Sequence, residues 1–129
     1  MNTRIYVEEI KTAIGAHGAW KMKLKTAITT GKTDLDPNVL RCDDQCALGK
    51  WLHGSSIDLQ TRMGMPYKVN KRVHAEFHEC AARVVELVLK HENAKAAALL
   101  EGEFTEKSDK VVRALNKWRG ELLASTRAA

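Results

Sequence analysis

From Pro66 the chain runs Pro66-Tyr67-Lys68-Val69-Asn70-Lys71-Arg72-Val73-His74-Ala75-Glu76-Phe77-His78-Glu79-Cys80-Ala81-Ala82-Arg83-Val84-Val85-Glu86-Leu87-Val88, and the spacing of its apolar residues decides the fold. Val69, Val73, Phe77, Val84, Leu87 and Val88 recur at three and four, the period of an amphipathic helix. Pro66 suits its first position, where the missing amide would have had no partner, and the pattern carries the helix to about Glu92. His74 and His78 stand four apart, about 40° around the helix, on the face shared by Ala81, Val85 and Val88. Their rings can therefore converge on one point.

Upstream, residues 3–29 place Ile10, Ala13, Ile14, Trp20, Leu24 and Ile28 at helical spacing with Lys21, Lys23 and Lys25 between them. This helix is expected to stop near Gly31, followed by a polar connection in which Asp36-Pro37-Asn38 favours a turn. A short helix is expected from Asp43 or Asp44 to about Gly54, carrying Cys46, because either aspartate can accept from the free amides of a helix start. Residues 55–65 read as irregular. Downstream, Ala97, Leu100, Phe104, Val111, Leu115, Trp118 and Leu122 predict a final helix, with only Gly102 against it. The expectation is an all-α four-helix bundle, three long helices and one short helix that carries Cys46, forming a single domain over residues 1–129.

Composition bounds the possibilities. A chain of 129 residues can bury about 68% of its unfolded surface and needs no disulfide to hold a core. The net charge of +5 is spread among alternating acids, with two Tyr and two Phe as stacking platforms, so it reads as a solvated surface and not a nucleic-acid footprint. No apolar run reaches the length of a membrane span. Three cysteines cannot all pair internally, and no signal peptide opens the sequence, which points to a reducing, cytoplasmic setting. Five histidines and three cysteines are the imbalance that asks for an explanation.

His17 continues the core stripe between Ile14 and Leu24, so three imidazoles face inward, and an unpartnered buried polar group costs roughly 1–3 kcal/mol. Taken alone, His17 also reads as a core histidine bonded to a backbone carbonyl, and Cys46 as a small core residue. Taken together, His17, His74, His78 and Cys46 offer the three nitrogens and one sulfur that tetrahedral zinc accepts. A position near a helix start should also lower the Cys46 thiol pKa. Cys42 reads as a loop residue that could substitute as ligand or act as a resolving thiol. Cys80, roughly 200° from His78, reads as packed away from the metal, and His53 and His91 as solvent-facing residues at helix ends.

The segment Cys46-Ala47-Leu48-Gly49-Lys50-Trp51-Leu52 resembles the Cys-x-Leu-Gly-Lys-Trp signature of the bacterial chemoreceptor zinc-binding (CZB) domain. His17-Gly18-Ala19-Trp20 is similar to that family's His-x-x-Trp element, and His74-Ala75-Glu76-Phe77-His78 to its His-x3-His, in the same order and over nearly the whole chain. The resemblance implies a zinc ion held by His17, Cys46, His74 and His78, a four-helix fold, homodimerisation, and a regulatory role beside chemoreceptor or diguanylate cyclase domains. No such signalling domain is part of this sequence, and Met1 favours a stand-alone member over an excised domain.

Catalysis is not expected. Four protein ligands close a zinc site, whereas a catalytic zinc keeps a position for water. Glu76 is two residues from His74 and projects to the far side of the helix, and no histidine has the Glu-x-x-His spacing of a di-iron bundle. Two signals fit a sensing module: zinc occupancy that clamps the short helix to the bundle, or oxidation of Cys46 that releases it. Zinc as a purely structural staple of a dimerisation or interaction domain is the alternative. Trp20 and Trp51, each near a proposed ligand in sequence, would wall the site.

Overall fold

Tyr6, Ile10, Ala13, His17, Leu24 and Ala27 fall on the buried face of α1 (Thr3–Thr30) in a computed structural model that describes residues 3–128, with side chains described through 125. Met1, on which the expectation of a stand-alone chain rests, lies outside them. Gly31 ends α1 with a left-handed φ of 71°, its amide donating to the Ala27 carbonyl at 2.9 Å. The Asp36 carboxylate then accepts the Asn38 amide at 2.9 Å and starts α2 (Pro37–Arg41). Two more short helices follow, α3 (Ala47–His53) and α4 (Leu59–Arg62). Asp58 starts the latter by accepting from the Thr61 amide at 2.8 Å and also bonds the Tyr6 hydroxyl, tying this corner to the beginning of α1.

The long central helix is α5 (Met65–Leu89). It turns at His91, whose φ of 59° is left-handed, into α6 (Asn93–Leu99). A π turn at Leu100–Phe104 joins α6 to α7 (Thr105–Ala128). The helix α5 packs on α1, α2, α6 and α7, and α1 packs on α7. Ile10, Leu24, Phe77, Val84, Phe104 and Leu115 are fully buried between these helices. Each large apolar side chain sequestered in this way contributes about 1.5–3 kcal/mol of transfer free energy.

The all-α class holds, but the four-helix expectation is overturned. Among the described residues there are seven α-helical segments, and the last long helix is two segments joined by a π turn. Asp36-Pro37, read as a turn, is an N-cap followed by a first-position proline, and so begins a helix. Cys46 is not carried within the short helix. It is the N-cap of α3, where its sulfur accepts the Gly49 amide at 3.3 Å.

Candidate metal centre

Three imidazoles meet between α1 and α5. His17 lies on the inner face of α1 one turn past Ala13, and its Nδ1 is 3.0 Å from the Ala13 carbonyl oxygen. That oxygen can only accept, so Nδ1 carries the hydrogen and Nε2 presents a lone pair. Nε2 is buried and has no hydrogen-bond partner. His78 repeats the arrangement across the gap: Nδ1 donates to the Leu40 carbonyl of α2 at 2.8 Å, so its Nε2 lone pair faces His74 Nε2 and the Cys46 sulfur. His74 Nε2 lies 3.0 Å from His78 Nε2, while its Nδ1 is buried without a partner. One ligand atom from each of the three histidines lies within 4.8 Å of the others.

Burial disfavours the charged form of all three rings. It is the leading cause that lowers the pKa of His17 and His78. For His74, burial and the neighbouring His78 and His17 together bring it down to about 3. Neutral imidazoles with lone pairs turned to a common point are a cation site in their chemistry, since metal binding requires the deprotonated ligand. Backbone carbonyls that fix two of the tautomers supply the outer support such ligands need. The orphaned His17 Nε2 fits a cation such as zinc: it is a costly buried group unless a cation reaches it.

The four-ligand expectation is corrected here. The converging group is His17, His74 and His78, and Cys46 is not a member of it. Its sulfur is 3.2 Å from His74 Nε2 and 3.4 Å from His78 Nε2, at hydrogen-bonding distance. The sulfur instead stands at the start of α3, accepting the Gly49 amide, on the side of the group that His74 and His78 form. Nor is the thiol acidified as a helix start alone would suggest. Burial raises its pKa more than the surrounding amides lower it. A model based on a ligating, oxidant-sensing cysteine therefore does not describe this site.

Trp20 lines two cavities that reach the group, one of about 390 Å³ that also touches Cys42, Cys46 and His78, and one of about 60 Å³ that touches His17 and Cys46. Trp51 stacks instead between Tyr6 and Trp118, with ring centroids 5.8 and 5.4 Å away. Cys42 is exposed at the end of α2 with its sulfur 3.4 Å from the Asn38 carbonyl oxygen. Cys80 is buried and its thiol is pushed up to about 11, chiefly by burial. His53 pairs with Asp43 at 3.3 Å, and His91 is exposed. Glu76 turns away from the group and pairs with Lys107 at 3.2 Å.

Sequence reasoning missed Leu40, and it took Gly49 only as part of the signature, without its steric role. Leu40 reads as an ordinary apolar residue, and only the fold brings its carbonyl to His78. A Cβ at Gly49 would collide with the Asp43 carbonyl, and that close approach lets the chain before α3 fold back against its first turn. No helix among the described residues is long and apolar enough to cross a membrane. No curated protein and no solved structure matches the chain. Residues 17–85 match the family model of the chemoreceptor zinc-binding domain, a stretch that begins at His17 and contains His74 and His78.

Proposed function

This chain belongs to the chemoreceptor zinc-binding domain family, and from that premise we propose that it is a zinc-responsive regulatory module in which His17, His74 and His78 hold the ion between two long helices. The family is one of non-catalytic sensory and regulatory modules. That membership now carries the case against catalysis, because three donors do not close a zinc site as four would. Glu76, the carboxylate nearest the pair in sequence, faces Lys107 and is not placed to act as a base.

The observation that carries this reading is the buried, unpartnered Nε2 of His17 opposite two histidines of α5. When bound, zinc supplies a positive centre that joins these nitrogens. The protein's own part is to hold the lone pairs inward through the Ala13 and Leu40 carbonyls and to pack Phe77 against the His17 ring. Because His17 is on α1 and the other two are on α5, occupancy sets how firmly these helices are held together, and that is the change a partner would read.

The reading includes a cytoplasmic setting, one domain, a second copy of this chain, and a chemoreceptor or diguanylate cyclase partner, as the family resemblance implies. Leu59, Met63 and Met65, exposed in succession around α4 and the start of α5, support an interaction surface there. The test is metal content with the intact mass. One zinc per chain is expected in the wild type and a large loss in His17→Ala and His74→Ala; full retention in both variants would refute the reading.

A further inference from the structure

The π turn at Leu100–Phe104 touches both helices that carry the histidines. Glu101 pairs with Lys21 of α1 at 3.4 Å, and Glu103 pairs with Arg83 of α5 at 2.6 Å. Lys21 lies one helical turn beyond His17, and Arg83 lies just over one turn beyond His78. Between these two ion pairs, Phe104 packs on Phe77 with ring centroids 5.2 Å apart. Phe77 in turn packs on His17 at 4.8 Å. An unbroken line of buried rings thus runs from the metal centre to the turn, flanked by ties to α1 and α5.

A π turn is a helix with one residue more than the α period accommodates, and such single-turn bulges are rare and recur at functional sites. Here the Thr105 hydroxyl donates to the Leu100 carbonyl at 2.8 Å, satisfying a carbonyl at the start of the wide turn. Gly102 lies at its centre, with open space where a Cβ would be. Nothing about packing at that point requires a glycine, and a glycine lowers the barrier to a change of backbone geometry.

We infer that the π turn is the element that reads the metal centre: it senses the spacing of α1 and α5 through Phe77–Phe104 and the two ion pairs, and passes the change to α7. Phe77 is then a positioning residue, holding the His17 ring on one side and the turn on the other. This inference rests on the zinc reading above. Coupling of this kind is reciprocal, so a change at the turn must also alter zinc affinity.

Deleting Gly102 removes the extra residue and lets α6 run into α7 as a regular helix, with both flanks keeping their faces. The experiment is amide hydrogen exchange on the full chain with zinc and with chelator. In the wild type, zinc should slow exchange at residues 100–104 at least about threefold more than at residues 114–118 of the same final helix, which controls for global stabilisation. In the Gly102 deletion that excess should vanish while the protein still binds one zinc, with altered affinity. Phe104→Leu, which keeps an apolar side chain in place, should diminish the excess and serves if the deletion does not fold. Equal slowing at both segments in the zinc-bound wild type, or a full excess in the variants, overturns the inference. Absence of zinc binding by the wild type instead overturns the functional reading on which it depends.

Discussion

His17 keeps its Nδ1 hydrogen on the Ala13 carbonyl and turns Nε2 into the interior without a partner, an arrangement that costs the metal-free protein about 1–3 kcal/mol. His17→Leu replaces the ring with an apolar group of similar bulk. It should raise the urea midpoint of the metal-free protein, by the equivalent of about 1 kcal/mol, while sharply weakening zinc binding. A midpoint lowered by several kcal/mol would mean that His17 has a partner in the metal-free state. The acid response follows from the same burial. Unfolded histidine titrates near 6.5, and His74 in the fold titrates near 3. Between these values the unfolded chain binds more protons, so stability is greatest above 6.5, declines as pH falls, and has lost the His74 contribution once pH passes about 3. The lowered pKa values of His17 and His78 act in the same direction. Urea midpoints in chelator that stay flat from about pH 7 to about pH 5 would contradict this.

Among the elements, α3 is the one most tightly constrained by a single residue. Gly49→Ala drives a methyl group into the Asp43 carbonyl, and the backbone there cannot swing aside as a flexible side chain would. A loss of about 2–4 kcal/mol is expected in chemical denaturation, with the Cys46 cap displaced from the Gly49 amide. The short elements also mark the limits of sequence reading. α1, α5 and α7 were legible because an apolar stripe repeated over many turns leaves only one face to bury. α2 and α4 span five and four residues, too short for a period to be visible, and only their capping aspartates announce them. At Asp36-Pro37 the same two residue types serve a turn or a helix start, and the choice depends on Leu40 finding the core. The π turn left no periodic trace beyond Gly102. The inward placement of the three histidines was legible from helical spacing, but the metal reading drew also on Cys46, which stands at the start of α3 outside the converging group.

For the molecule as a whole, a ligand that binds only the folded state stabilises it by mass action, about 2.7 kcal/mol at a free concentration one hundred times the dissociation constant. Thermal unfolding of the wild type should therefore move up by several degrees on zinc addition, return with chelator, and not move in His17→Ala. An identical shift in that variant would place the ion elsewhere. Sedimentation equilibrium tests the second copy: a dimer in the wild type should be weakened when Leu59 and Met63 are both changed to Ser, and an unaltered dimer would put its interface on another face. The placement of the ligands on α1 and α5 also governs which stretches of chain the ion joins. His17 and His74 are separated by a span on the order of 60 residues, so the ion closes a long chain loop much as a cross-link does. Losing the ion would open that loop without unpacking it, since the cavities that Trp20 lines reach His17 and His78 while Ile10, Leu24 and Phe77 stay buried in the core. The ion would then act as a removable cross-link between two stretches of chain that lie far apart in sequence.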